Sequence, residues 1–491
     1  MDAREARILF HQGDLRADQL LDLLDQWERK IRRLEAEVDR LRKRLAQYEP
    51  EIARETTRGE RPSDNATQYS LRAEERRRRK PRRKKRSPGR RKTHLKFAHA
   101  QRYEDVYPEG VCREECTLAR QRAVWRLEGG RAVLVGYRVF GAPGRDEPPI
   151  PGVTRRCEYG IEILVVLAFL VYVIGVSLDK ACRVMHFFCQ LPLGKSEADA
   201  LLRQLARHWQ GEFEALCELL VHAAVVYMDE TGWKVGREGC SVWTFASDLQ
   251  RVFLFGCHKD QATLERMLPA ERFRGIAVSD DAAVYRHRFP RAQKCWAHLL
   301  RKAIRLALLY PRKRSYQRFL ERLLGLYDEA KRAAADGRLR VRGGQRRVAE
   351  LEDRLCQLCQ PYWQETKPER KPHEREFAKL VNELMERMMD EELFTFVLEP
   401  EVESTNNLSE RLQRSPAQDR KLGRTSKTAA GAHRRSVIVS VLESLRANLE
   451  PFTLSSVVEE VRGWMREGIS RFRKQQEAAM GNGAVAALDP G

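Results

Sequence analysis

Four apolar residues, Val225-Val226-Tyr227-Met228, run into the acids Asp229 and Glu230 and then into Thr231-Gly232-Trp233. So short a β-branched and aromatic run reads as a buried strand, with Asp229 at its tip and a turn expected at once after it. Gly275-Ile276-Ala277-Val278-Ser279 repeats the pattern and ends in Asp280-Asp281. Between them lie two strand-like runs, 241–246 and 251–256, and a helical stretch, 261–268. Three strands, a helix and another strand indicate a mixed α/β sheet. Much later, Ser404-Thr405-Asn406-Asn407-Leu408-Ser409-Glu410-Arg411 reads as a capped helix start carrying a third acid, Glu410.

Asp229, Asp280 and Glu410 are therefore expected to converge. Carboxylates on rigid elements are what hard divalent cations take, and two Mg²⁺ or Mn²⁺ ions suit phosphodiester chemistry on DNA. Strand alternation sends neighbours to opposite faces, so Asp281 and Glu230 compete with Asp280 and Asp229 for the inward position. Asn407, three residues before Glu410, shares its helix face and is a candidate to orient it or touch DNA. Arg411, Arg414 and Lys421 on the same helix are candidates for phosphate.

The rest of the chain fits a polyanionic partner. The formal charge is +21 and the pI near 9.7. The segment from Arg76 to Lys96 concentrates this charge in Arg76, Arg77, Arg78, Arg79, Lys80, Arg82, Arg83, Lys84, Lys85 and Arg86. Like charges this dense repel and cannot be buried, so disorder until contact with DNA phosphates is expected. Upstream, Leu20, Leu24, Trp27, Ile31, Leu34, Val38, Leu41 and Leu45 alternate in fours and threes. That heptad seam, β-branched mid-seam at a and mostly Leu at d, favours a parallel two-stranded coil and hence self-association as a dimer or larger.

Eleven cysteines without paired spacing suit a reducing compartment. No secretory signal is visible at the charged start. The apolar segment from Ile161 to Leu178 is read as buried core and not as a membrane span. His94, His99, Cys112 and Cys116 offer a four-ligand set, but not at a finger's spacing, so free side chains in a small β-rich module are expected. Ser177 and Ser196 are expected to cap two helices, through Phe188 and Trp209, around the turn Leu191–Lys195, a helix-turn-helix-like arrangement.

The organisation is thus a coiled coil over 1–50, a basic linker over 51–96 and a β-rich, degenerate zinc-binding-like module over 97–157. A helical DNA-binding region follows over 158–220, then a catalytic core over 221–300 and 401–470, split by an all-α insertion over 301–400. Residues 471–491 form a loose tail.

Met228-Asp229-Glu230-Thr231, Ser279-Asp280, Cys295-Trp296-Ala297-His298 and Asn406-Asn407-Leu408-Ser409-Glu410-Arg411 resemble the bacterial insertion-sequence DDE transposases of the IS-sixty-six type. The resemblance covers roughly residues 20–465. It implies an α/β RNase H-like core interrupted by helices, a catalytic and metal-binding triad of Asp229, Asp280 and Glu410, and a 3′-hydroxyl joined to target DNA. Double-stranded DNA, at element ends and target, is the implied partner, in the bacterial cytoplasm at the nucleoid. The family usually has Gly and an aromatic after its second Asp, where this chain has Asp281 and Ala282. Its zinc module normally has two Cys pairs, of which only Cys112 and Cys116 remain here, so Zn²⁺ is not expected. The alternatives are a nuclease that cuts without joining and a retired transposase that only binds DNA.

Overall fold

A computed structural model of the chain describes residues 93–154, 157–338, 343–363 and 371–486. The expected coiled coil and the basic stretch Arg76–Arg86 lie outside the described residues.

A short helix, Thr93–Ala98, comes first, at the end of the basic segment expected to be disordered, and three strands follow: β1 (Arg102–Val106), β2 (Thr117–Glu128) and β3 (Arg131–Gly141), in the order β1-β3-β2. Gly129 and Gly130 both take positive φ and close the tight β2–β3 hairpin. Four helices follow: α1 (Ile161–Ala168), α2 (Leu178–Cys189), α3 (Lys195–His208) and α4 (Gln210–Val221). The apolar segment at 161–178 is α1 plus a wider helical turn, Phe169–Val173, and most of it is buried in the core. No helix of the described residues is long and apolar enough to cross a membrane. Ser177 caps α2 by accepting from the Lys180 N–H at 3.3 Å. Ser196 does not cap α3. Gly194 holds the extended N-cap geometry behind the buried Leu191 and Leu193, so Ser196 falls in the first turn.

The central sheet comprises β4 (Val225–Val235), β5 (Glu238–Ala246), β6 (Arg251–Cys257), β7 (Ile276–Ser279) and β8 (Ala292–Lys294), in the order β6-β5-β4-β7-β8. Helix α5 (Gln261–Met267) connects β6 towards β7. β4, β5 and β6 are antiparallel, whereas β7 and β8 join β4 in parallel. One expectation fails here, since no turn follows Asp229. β4 continues to Val235 because β5 keeps pairing with it down to Val235 opposite Glu238, and Gly236, at φ 61°, then makes the turn. The parallel partner stops earlier, with Val278 opposite Tyr227. Asp229 is thus mid-strand towards β5 and just past the end of the pairing with β7. β8, three residues long, was too short to leave a signal in the sequence.

The two sheet faces bury different cores. Val226 and Met228 pack with α1–α4, while Val225 and Tyr227 pack with the helices inserted between Asp280 and Glu410. The four long ones are α6 (Trp296–Leu309), α7 (Arg314–Ala335), α8 (Gly344–Cys359) and α9 (Pro372–Met389). Leu299, Leu306, Phe319, Leu323, Leu355 and Leu384, all buried, knit them together.

Beyond the insertion come α10 (Asn407–Lys421), α11 (Ala429–Asn448), α12 (Leu454–Glu467) and α13 (Arg471–Ala486), the last in place of the expected loose tail because Phe472 is buried against Trp464. α11 begins at Ala429 because Thr428 caps it through the Gly431 N–H. It closes the exposed edge of the sheet. Ser436, Ser440 and Ser444, one per turn, accept the N–H groups of Phe255, Phe253 and Arg251 at 2.8–2.9 Å. An edge strand's unpaired donors are otherwise a template for aggregation, and here a serine ladder takes them.

Candidate active site

Along β4, Asp229 follows Val225 and Tyr227 onto the insertion side of the sheet, and along β7 Asp280 follows Ile276 and Val278 onto the same side. The neighbouring acids are used otherwise. Glu230 accepts from the Tyr285 hydroxyl and pairs with Lys259. Asp281 pairs with Arg387 of α9 at 2.7 Å and with Arg286 at 3.2 Å. Among the described residues neither Asp229 nor Asp280 has an ion-pair partner. Their bonds are local: Asp229 Oδ1 accepts from the Glu230 N–H at 2.9 Å, and Asp280 Oδ1 from the Ala282 N–H at 3.0 Å.

Glu410 is brought over by α10. Asn406, fully buried, donates to the Met228 carbonyl at 2.6 Å, and Gln413, two turns on, donates to the Asp229 carbonyl at 3.0 Å. These two pegs bracket Glu410 and fix its helix to the strand that carries Asp229. The resemblance quotes Asn406 and Asn407 as a pair, but only Asn406 does this work; Asn407 is exposed. Asn406→Ala is expected to cost about 1–3 kcal/mol, since it removes the side-chain donor to the Met228 carbonyl and leaves the Ser409 hydroxyl only the residue 406 backbone carbonyl. Urea denaturation measures it, and an unchanged midpoint would remove the peg from the argument.

The electrostatics bear the mark of crowding. The Asp229 carboxyl is pushed up to about 7, first by burial and then by like charge on Glu230, Asp280 and Glu410. Glu410 itself is held by Arg301 of α6, at 3.0 and 3.3 Å, and lies 3.5 Å from His298 Nδ1. Among the described residues, the three-ligand group whose atoms lie within 4.8 Å of one another is Cys295, His298 and Glu410. Asp229, Asp280 and Glu410 do not form such a group. They share one corner of the fold, with Glu410 drawn towards α6. Cys112 and Cys116 join no such group either; the Cys116 thiol donates to the Cys112 carbonyl at 3.4 Å. Arg411, Arg414 and Lys421 are exposed on α10 and, among the described residues, have no ion-pair partner.

A mixed sheet with two unneutralised acids on adjacent parallel strands, and a third on a helix pegged to the first, marks a transposase-class protein once the sequence is compared with known families. The model for the family described as "Transposase IS66 family" matches residues 156–434, more than half of the chain. The chain belongs to the IS66 transposase family. No curated protein matches it.

Proposed function

We propose that the chain is a DDE-type polynucleotidyl transferase that cuts DNA at the ends of an insertion sequence and joins the freed 3′-hydroxyls to target DNA. One observation carries the reading: Asp229 and Asp280 lack cationic partners while Glu230 and Asp281, next to them, are neutralised. Leaving two part-buried acids unpaired is costly unless a ligand completes them. The sheet order, three antiparallel strands continued by two parallel ones, with acids on the central strand and its parallel neighbour, supports an RNase H-like core.

The donors suit Mg²⁺ or Mn²⁺, because they are hard carboxylate oxygens and their mutual repulsion is what a divalent ion relieves. Asp229, Asp280 and Glu410 would hold the ions. When bound, such ions activate the attacking oxygen and stabilise the leaving one. The chain's own part is to keep Asp229 and Asp280 side by side through the β4–β7 pairing, and to swing Glu410 from Arg301 towards them. Arg411, Arg414, Lys421 and the arm Arg76–Arg86 would bind phosphate, and the heptads of 18–48 would pair two copies on two DNA ends.

A strand-transfer assay with the full chain, Mg²⁺ and terminal-repeat DNA tests this. Cutting without joining points to a nuclease, and tight binding with neither points to a retired transposase.

A pH-dependent metal effect follows from Asp229. Its carboxyl is raised in the folded chain, so the cost of ionising it is absent below about pH 4, grows as pH rises, and is complete above about 7. A cation that binds the carboxylate relieves that cost only where it exists. Millimolar Mn²⁺ should therefore raise the melting temperature more at pH 8 than at pH 5.5, and Asp229→Asn should abolish the difference. Equal shifts at both pH values would argue against a metal at Asp229.

A further inference from the structure

No Asp or Glu occurs from Ala282 through Leu320, a stretch that includes all of α6 and the corner into α7. α6 buries Leu299, Leu300, Ala303, Leu306 and Ala307 and turns Arg301, Arg305 and Leu308 outwards. At 100° per residue these three fall on one face, and Arg312 and Arg314 follow at the corner into α7. Two lysines of the stretch are neutralised by acids reaching over from α9: Lys302 by Glu383, and Lys313 by Glu374 at 3.9 Å. Among the described residues, Arg305, Arg312 and Arg314 have no ion-pair partner, and all three are exposed. Arg301 begins the row, with its guanidinium on Glu410.

We propose that the outer face of α6 is the track for the DNA backbone flanking the reaction centre, running from Arg301 over Arg305 to Arg312 and Arg314. The inference rests on the proposed DNA chemistry and adds the path the substrate takes. Unneutralised arginines in a row repel one another, and a chain of phosphates is the partner whose charge repeats in step with them. From Arg301 to the end of α6 is about 12 Å, the rise of three to four base steps. A phosphate arriving beside Arg301 competes with Glu410 for its guanidinium, so docking on this face also releases Glu410. Leu308, 74% exposed between Arg305 and Arg312, contributes an apolar contact to the sugars along the same face.

The test compares the full chain with a triple variant, Arg305→Ala, Arg312→Ala and Arg314→Ala. Its control is Arg346→Ala, Arg354→Ala and Arg466→Ala, which removes equal charge from exposed arginines that already have glutamate partners. Binding to a terminal-repeat duplex is measured against salt. The arm at Arg76–Arg86 contributes equally to all three proteins, so the difference isolates α6. Three lost phosphate contacts should lessen the slope of log K against log salt by about 2.7, with no change in the control. An unchanged slope in the triple variant, with a wild type that cuts and joins, overturns the track and leaves the enzyme reading standing. A lessened slope with a wild type that neither cuts nor joins supports the track and removes the enzyme reading. If the slope is unchanged and Leu308→Glu instead shifts the sedimenting species to a smaller size, the face is a contact between copies and the track is wrong.

Discussion

Asp229→Asn, Asp280→Asn and Glu410→Gln should each lower strand cleavage and joining at least about a thousandfold, some 4 kcal/mol of barrier, while leaving affinity for terminal-repeat DNA within a few-fold. The substitutions are isosteric and remove the charge that a divalent ion needs. Affinity survives because phosphate contacts come from the arginines and lysines, which are untouched. The three sites differ in the folded chain without metal. Asp229→Asn removes a crowded carboxyl and so should stabilise the protein at pH 8. Glu410→Gln frees Arg301 from its ion pair, which at a part-exposed site shifts stability little. A melting curve for each variant therefore accompanies the activity assay. Full activity in any one of them would strike that residue from the triad, and in the case of Asp280 would redirect attention to Asp281.

That ambiguity shows how far the sequence could be read. The strand period placed Asp229 and Asp280 on acid-terminated apolar runs, and alternation implied that only one of Asp280 and Asp281 faces inwards. Which one does so depends on Arg387, 106 residues further on in α9, and no local pattern carries a pairing of that range. The turn expected after Asp229 misread Thr231-Gly232 as punctuation, when pairing with β5 holds both in an extended strand. Asn406 was legible as part of a cap and not as a peg, since its role comes from the Met228 carbonyl. The serines of α11 recur at four-residue spacing, but only the unpaired β6 edge gives them a purpose, and no local pattern announces it. Cys295-Trp296-Ala297-His298 stood out as a motif. The fold puts its His298 beside Glu410 and its Trp296 in the insertion core, one residue near the chemistry and one for packing.

Arg387→Ala should be the most destabilising single change in the insertion, by about 3–5 kcal/mol, and should also impair catalysis. Arg387 is 1% exposed and holds Asp281 at 2.7 Å, Asp390 at 2.6 Å and Glu392 at 3.1 Å. Its removal leaves Asp281, nearly buried, with only the exposed Arg286, and Glu392, also nearly buried, with only Lys294, whose own charge is disfavoured by burial. Arg387→Met, of similar bulk and without charge, should lose nearly as much as Arg387→Ala, because the buried carboxylates stay uncompensated. Arg387→Lys keeps the charge but loses the planar fork that serves Asp281, Asp390 and Glu392 together, and should fall between wild type and Arg387→Ala. Because the Asp281 tether sets the loop that presents Asp280, joining activity at low temperature, where both variants remain folded, should fall in the same order. An Arg387→Met variant as stable as wild type would show that the guanidinium fills space and does not hold charge. Full activity in folded Arg387→Ala would separate the insertion's stability from the placing of the second acid.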